Sequence, residues 1–171
     1  MSPAVLITGG IGAGKTSLAV ELGELLAERR LLAAVIDLDW LGWVCGAPAG
    51  FSFEELIGRN LEAVWPNFEA AGATHFVLTR AVLGPSELDA LRAAVPSDGL
   101  ATVRVGASAE LVEERLRRRD TGAELEHHLS EARTSADTVA SLGAEDFHVR
   151  NDARPIREVA AEVLERLGWH E

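Results

Sequence analysis

Lys15 stands in a glycine-rich segment whose residue types suit the binding of phosphate. It is the single lysine of the 171-residue chain, within Gly9-Gly10-Ile11-Gly12-Ala13-Gly14-Lys15-Thr16, and this segment matches the pattern G-x-x-x-x-G-K-[ST]. Glycines allow successive backbone N–H groups to turn toward an anion without a Cβ clash. We therefore expect Lys15 to meet the β- and γ-phosphates of ATP as a point charge, and the Thr16 hydroxyl to bind Mg²⁺.

The flanking segments favour this interpretation over a glycine-rich turn that holds a lysine by chance. Residues 4–8 form a short apolar run typical of a buried strand, and apolar residues recur at helical spacing after Thr16. A strand, a loop and a helix in this order direct the positive end of the helix dipole at a bound phosphate. The loop members of the predicted nucleotide-binding set are Gly9, Gly10, Ile11, Gly12, Ala13, Gly14, Lys15, Thr16 and Ser17.

Two aspartates follow a second predicted strand over residues 32–37. Alternate residues of an extended chain face the same side, so Asp37 and Asp39 are both predicted to point into the cleft beside the loop. A carboxylate there can deprotonate or orient an acceptor hydroxyl, or support Mg²⁺, and we assign these roles to Asp37. For Asp39 the alternative is that it caps a turn while Trp40 and Trp43 fill the core.

Two arginines are candidates for holding the acceptor. Arg59 lies on a helix predicted from the Ser52 cap to about residue 71, and Arg80 follows a third predicted strand. A guanidinium fork binds a carboxylate or phosphate well. A surface salt bridge is the alternative for Arg59. Together with Asp37 and Asp39, these arginines are the predicted acceptor contacts, and we expect the acceptor-binding region over about residues 39–72.

An arginine pair marks a predicted lid. Arg115 and Arg119 are spaced i, i+4 and therefore share a helix face. Residues 120–122 break this helix before another that is predicted over 125–142. We expect a hinged cover, about residues 115–133, that closes both arginines onto the transferring phosphoryl group and excludes water.

Strands that alternate with helices and are apolar throughout predict an α/β fold with a parallel sheet covered on both faces. Ligands of such sheets bind beyond the carboxyl ends of the strands. The loop, Asp37, Asp39 and Arg80 should therefore meet at one edge. No linker or repeat divides the chain, so we expect a single domain over 1–171.

Composition limits the choice of partner. The net charge of −11 opposes nucleic acid and favours a small-molecule ligand met by local arginines. The single cysteine, Cys45, excludes an intrachain disulfide, and we expect a buried thiol in a reduced cytoplasm. No leader or bilayer-spanning stretch is evident, which favours a cytoplasmic protein without a membrane partner. We expect a monomer or a homodimer. Adjacent His127 and His128 are predicted to lie at the surface.

With the phosphate loop, the aspartates after the second strand, the arginine pair and residues 150–155 in view, the chain resembles the small P-loop kinases. That group includes nucleoside monophosphate, shikimate, gluconate and adenylylsulfate kinases and chloramphenicol phosphotransferase. The resemblance implies a five-stranded parallel sheet of order 2-3-1-4-5 and a mobile lid. It also implies adenine contacts from Arg150, Asn151 and Arg154, lid roles for Arg115 and Arg119, and an acceptor-side carboxylate at Asp37.

Three functions remain open on the sequence. The first is an ATP-dependent kinase acting on a small-molecule hydroxyl, and the second is a nucleoside monophosphate kinase, whose acceptor needs arginines more than a base. The third is a nucleotide-binding regulator that transfers no phosphate. The regulator stays open because the third strand ends in Leu78-Thr79-Arg80, where many P-loop enzymes have an aspartate that supports Mg²⁺.

Overall fold

In the part of the chain that the structure describes, five strands alternate with helices. The computed structural model describes residues 2–46, 50–97, 99–152 and 154–169. Its elements, in chain order, are β1 (Ala4–Thr8), α1 (Lys15–Glu28), β2 (Ala33–Asp37), α2 (Leu38–Gly42), α3 (Phe53–Ala70), β3 (His75–Thr79), α4 (Pro85–Ala94), β4 (Leu100–Gly106), α5 (Ala109–Arg119), α6 (Gly122–Leu142), β5 (Phe147–Arg150) and α7 (Ile156–Leu167).

All strand pairs of the sheet are parallel, in the order β2-β3-β1-β4-β5. This confirms the predicted fold class and strand order. Parallel pairing brings the carboxyl ends of β1, β2 and β3 to the same edge, where Thr79 is in register with Ile7 on one side and with Asp37 on the other. The loop after β1 and the aspartates after β2 therefore start on the two sides of the end of β3.

Apolar residues on the two faces of the sheet form two separate cores. On one face, β1, β3 and β4 pack against α1 and α7, and Val5, Val77 and Val103 are fully buried there. On the other face, Leu6, Phe76 and Leu78 pack against α3 and α4. The sheet is thus covered on both sides, which explains its apolar strands.

Three local predictions are wrong in detail. Residues 38–42 form the short helix α2 rather than extended chain, because the Asp37 side chain accepts a hydrogen bond from the backbone N–H of Asp39 and caps a helical turn. Helix α6 begins at Gly122, three residues before the predicted start at 125. Cys45 is exposed rather than buried.

The aromatic residues also differ from expectation. Trp40 and Trp43 do not fill the core: they are 71% and 64% exposed, and their rings stack on each other at 5.2 Å. The core tryptophan of this half of the molecule is Trp65, which is 1% exposed and stacked on Phe76. Helix α3 therefore buries Ile57, Leu61 and Trp65, and Phe68 is 37% exposed.

Replacing Trp65 by alanine should lower the free energy of unfolding by about 3–5 kcal/mol, because it removes a buried aromatic side chain and leaves a cavity against Phe76. Chemical denaturation followed by circular dichroism measures this change. Trp43→Ala is the matched control, and it should stay within about 1 kcal/mol of wild type since its ring is 64% exposed. Equal losses in the two variants would contradict the assignment of the core.

Among the described residues, no helix combines the length and the apolar character that crossing a bilayer requires.

Candidate nucleotide and acceptor site

The glycine-rich loop between β1 and α1 has the backbone conformation that the sequence predicts. Gly12 and Gly14 have φ angles of +75° and +97°, in the left-handed region that favours glycine. Helix α1 begins at Lys15, so the N–H groups of its first turn have no carbonyl within the helix and point toward the loop. The Lys15 Nζ donates to the carbonyl oxygens of Gly9 at 3.0 Å and Gly10 at 3.1 Å. This arrangement forms an anion-binding concavity with an ammonium beside it.

Close packing also requires glycine in this loop. A Cβ atom at Gly14 would lie 2.3 Å from the Asn151 Nδ2, and one at Gly9 would lie 2.3 Å from the carbonyl oxygen of Val105. A Cβ at Gly10 would meet the backbone of Ala136 on α6 at 2.9 Å. The loop is therefore held from outside by β4, by α6 and by the segment after β5.

Burial and several charged side chains of the site together determine the pKa of the Lys15 ammonium. Burial lowers the pKa of Lys15, the carboxylates of Asp39 and Asp37 act in the opposite direction, and the Arg119 guanidinium lowers it further. Charges act on one another in this way only over short distances. Both predicted aspartates and one predicted lid arginine therefore act on the Lys15 ammonium, and Arg119 lines the same cleft as Lys15.

Arg115 contacts the loop itself. Its guanidinium donates to the carbonyl oxygens of Gly12 at 3.4 Å and Ala13 at 3.3 Å, and to that of Asn151 at 2.9 Å. The Asn151 side chain also donates to the carbonyl oxygen of Ala13, at 3.2 Å. Both residues thus support the outer side of the loop, although Arg115 also lines the phosphate cleft.

Arg119 lies across the phosphate cleft and is held by a partner that the sequence analysis missed. The cleft measures about 490 Å³ and is lined by Gly12, Gly14, Lys15, Thr16, Ser17, Arg115, Leu116 and Arg119. Arg119 donates to both carboxylate oxygens of Asp120, at 2.6 and 2.9 Å, and His128 donates to the same carboxylate at 2.7 Å. His127 is exposed, as predicted, whereas His128 is partly buried against Asp120.

Asp120→Asn should lower turnover about tenfold and leave ATP binding nearly unchanged, because the neutral amide no longer fixes the Arg119 fork by charged hydrogen bonds. The hydrogen bonds from Arg119 lower the pKa of Asp120 to about 2. The stability that this carboxylate contributes is therefore present above pH 4 and is lost only as the pH falls toward 2. The pH dependence of turnover should therefore show no ionisation of Asp120 near neutral pH.

The control for this variant is Glu113→Gln, which removes the carboxylate that pairs with the exposed Arg117 on the same helix. Unchanged kinetics in Glu113→Gln and reduced turnover in Asp120→Asn are the expected pair of results. Full activity in Asp120→Asn would show that Arg119 needs no fixed orientation.

On the other side of the loop, Asp37 and Asp39 differ in environment. Asp37 ends β2 and caps α2, and Asp39 lies in the first turn of α2. Asp39 accepts a hydrogen bond from Arg80 at 2.8 Å, and burial raises the pKa of its carboxyl group, with Arg80 opposing the rise and Asp37 adding to it. Of the two, Asp37 is the carboxylate that is not paired with a guanidinium among the described residues.

Arg80 is buried and surrounded by carboxylates. Besides Asp39, it forms ion pairs with Glu87 and, at 3.7 Å, with Glu54. Its guanidinium also lies 4.8 Å from the centre of the Phe53 ring. Arg59 is exposed, and its guanidinium lies 4.5 Å from the centre of the Phe51 ring. Arg80 therefore positions Asp39, and its guanidinium is occupied by carboxylates of the described residues rather than directed at an acceptor.

Beside these residues lies a second cleft of about 580 Å³. Its described lining consists of Asp39, Gly42, Trp43, Val44, Gly46, Phe51 and Phe53. This set falls in the acceptor-binding region predicted at 39–72, of which residues 47–49 lie outside the described part of the chain. Asp39 lines this cleft, and its charge also raises the pKa of Lys15.

The predicted adenine contacts after β5 have other partners in the structure. Asn151 is buried against the loop, Arg150 pairs with Asp152, and Arg154 pairs with Glu162. Ala153 lies outside the described residues. Arg150 and Arg154 would have to leave these carboxylates to reach a base, so their roles remain predictions.

Oxygen atoms suited to Mg²⁺ lie at this same edge of the sheet. Thr16 is exposed in the first turn of α1, and Asp37 ends β2. At the end of β3 the buried Thr79 Oγ1 has no hydrogen-bond partner among the described residues. Mg²⁺ prefers oxygen ligands and keeps several waters, so this set fits the ion even though β3 has no terminal carboxylate.

Sequence reasoning missed three contributors to the site. Asp120 belongs to a predicted helix break, no pattern in the sequence marks Ser135, and Trp43 is a core residue in one of the two alternatives for its segment. Ser135 is buried on α6 and accepts a hydrogen bond from the Ile11 backbone N–H at 3.1 Å, which ties α6 to the loop. The position of Asp120 directly after the last arginine of α5 was a usable signal, whereas Ser135 gave none.

Comparison with known proteins agrees with this architecture. No family model matches the chain, and no curated protein matches it in sequence. Among solved structures, a sugar kinase from Janibacter sp. has a TM-score of 0.66 at 19% identity, covering 98% of this chain and 95% of that chain. The shikimate kinase of Acinetobacter baumannii, in complex with shikimate, has a TM-score of 0.60 at 17% identity, covering 99% and 94%.

A third similar structure is the APS kinase of Mycobacterium tuberculosis in complex with AMPPNP and APS. It has a TM-score of 0.60 at 23% identity, with 98% of each chain covered. Identities this low establish a shared fold and leave the reaction to be argued from the residues. The chain has the fold of the small P-loop kinases, and the resemblance inferred from its sequence is confirmed at that level.

Proposed function

We propose that this protein is an ATP-dependent phosphotransferase that moves the γ-phosphate of Mg-ATP to a hydroxyl group of a small molecule. One observation supports this function above the others: the phosphate loop with Lys15 and the acceptor-side Asp37 and Asp39 follow strands that end at the same edge of the sheet, and the charges of both carboxylates raise the pKa of Lys15. A phosphate loop and acceptor-side carboxylates at the same edge of the sheet suit direct transfer. We also propose that residues 1–171 act as one domain.

On the donor side, the loop amides and the first turn of α1 would bind the phosphates, and Lys15 would leave its carbonyl partners to contact the β- and γ-phosphates. Mg²⁺, when bound near Thr16 and Asp37, would offset phosphate charge. Arg119 would stabilise charge on the transferred group, and Arg115 would hold the loop in shape.

On the acceptor side, Asp37 would orient the acceptor hydroxyl and take its proton. The acceptor oxygen forms a bond to the γ-phosphorus, the bond between that phosphorus and the β,γ-bridging oxygen breaks, and ADP leaves with the electron pair. Asp37 suits this role because no guanidinium neutralises it among the described residues, whereas Asp39 is paired with Arg80. Asp39 and Arg80 would then shape the acceptor cleft.

The two other readings of the sequence are less well supported. A nucleoside monophosphate acceptor needs guanidinium groups for its phosphate, and Arg80 already faces three carboxylates. A regulator without transferase activity was favoured by the missing carboxylate of β3, but Asp37 and the Thr79 hydroxyl supply oxygen atoms at that edge.

Incubation with γ-labelled ATP, Mg²⁺ and a panel of nucleotides, sugars and hydroxylated aromatic compounds tests the proposal. We expect label in an organic phosphate ester from at least one alcohol. Label transferred solely to nucleoside monophosphates would favour the second reading. Tight ATP binding without any labelled product would favour the regulator and contradict the proposal.

A further inference from the structure

We propose that the acceptor carries a flat apolar group beside its hydroxyl and has no negative charge. This inference rests on the proposed function and specifies the substrate class of the same site. It replaces the expectation that Arg59 and Arg80 bind a carboxylate or phosphate group of the acceptor.

The acceptor cleft of about 580 Å³ is lined mainly by apolar side chains. Trp43, Val44, Phe51 and Phe53 line it, and each of these side chains is at least 40% exposed. Exposed apolar side chains grouped around a concave surface are typical of a ligand site rather than of ordinary protein surface. The cleft therefore suits a ligand that covers these rings.

The two exposed tryptophans, one of which lines the cleft, form a stacked pair. Trp40 and Trp43 stack with an interplanar angle of 18°, so each ring supports the other and leaves a broad exposed face. Aromatic rings prefer offset stacking or edge contacts with other flat groups. A planar ring on the acceptor would gain such contacts, whereas a compact polyhydroxylated chain would leave the indoles in water.

Carboxylates predominate among the charged side chains around Arg80. Arg80 is met by Asp39, Glu54 and Glu87, so carboxylates outnumber its guanidinium three to one. Asp37 adds a further carboxylate near Asp39. Asp39 is also the sole charged side chain in the described lining of the cleft. An anionic acceptor would approach this negative field without a free guanidinium at Arg80 to balance it.

Arg59 does not reverse this balance. Its guanidinium lies over the Phe51 ring, and it is absent from the described lining of the cleft. A cation over the ring face is stabilised by the ring and need not pair with a ligand anion. The described residues thus favour neutral or cationic acceptors.

Three alcohols that share one skeleton separate charge from shape: 2-phenylethanol, its 4-carboxylate 4-(2-hydroxyethyl)benzoate, and its cationic analogue 4-(2-hydroxyethyl)benzylamine. Titration calorimetry and quenching of tryptophan fluorescence measure binding to the full chain, with and without Mg-ATP. Trp40 and Trp43 should report the binding, since Trp65 and Trp169 are buried. We expect the neutral and cationic compounds to bind at least about tenfold more tightly than the carboxylate.

Variants identify the cause. Trp43→Ala should weaken binding of 2-phenylethanol about tenfold and leave Mg-ATP binding unchanged, whereas Leu32→Ala, which alters an exposed apolar residue outside the cleft, should change neither. Glu54→Gln should reduce the difference in affinity between 4-(2-hydroxyethyl)benzoate and 2-phenylethanol. Equal or tighter binding of the carboxylate, or no binding of any of the three compounds, would overturn the inference.

The same measurements keep this inference apart from the proposed function. Binding with the expected charge preference but without label transfer from ATP to any alcohol would contradict the phosphotransferase and leave the specificity of the cleft standing. Label transfer that favours the carboxylate would support the phosphotransferase and overturn the charge argument.

Discussion

Lys15→Ala is expected to reduce phosphate transfer about 10²–10³-fold, the effect typical of removing one preorganised donor to developing charge. The ammonium is poised at the loop on the carbonyl oxygens of Gly9 and Gly10, and no other lysine exists in the chain to replace it. Turnover of γ-labelled ATP with the best alcohol acceptor measures the loss.

Two comparisons make this result specific. Arg92→Ala removes an exposed cation on α4, outside both clefts, and should leave turnover unchanged. The thermal unfolding midpoint of Lys15→Ala should stay close to that of wild type, because its side chain fills no part of the apolar cores. Wild-type turnover in Lys15→Ala would contradict the assignment of the phosphate loop.

Asp37→Asn is expected to reduce turnover about 10²–10⁴-fold, the range contributed by a general base, while ATP binding is largely retained. The amide keeps the size of the carboxylate and can still accept the hydrogen bond from Asp39 that caps α2. Structure should therefore be preserved while proton acceptance is lost. Steady-state kinetics and ATP titration together separate these effects.

The same variant distinguishes the two kinase readings. A mild loss, below about tenfold, would favour a phosphate acceptor, which needs no base. Asp89→Asn is the control: this carboxylate is exposed on α4, and its replacement should be silent. Loss of ATP binding together with turnover would instead assign Asp37 to the metal alone.

The fold was predictable because its signals are local and repeated. Apolar runs mark the strands, Ser52 and Ser108 cap α3 and α5 as side-chain acceptors, and Pro85 starts α4. The strand order came from the resemblance rather than from these signals. The phosphate loop was predictable residue by residue, because its glycines have positive φ angles and close backbone contacts that few other residues tolerate.

The acceptor side was less predictable, because its character depends on contacts between distant segments. Arg80 meets Glu54 from α3 and Glu87 from α4, and nothing in the sequence indicates that these carboxylates converge on it. Likewise, tryptophan is a residue type that is often buried, but the turn of α2 directs Trp40 and Trp43 to the surface. Their tertiary placement, rather than their type, determines which acceptor the cleft can bind.

Titration of Mg-ATP into the wild-type protein by calorimetry tests the central claim most directly. We expect one site per chain, with a dissociation constant between about 1 µM and 1 mM, the range typical of enzyme substrates. Chelation of Mg²⁺ and Lys15→Ala should each weaken binding. Absence of binding, or binding of equal strength after both changes, would contradict the claim that this loop holds a magnesium nucleotide.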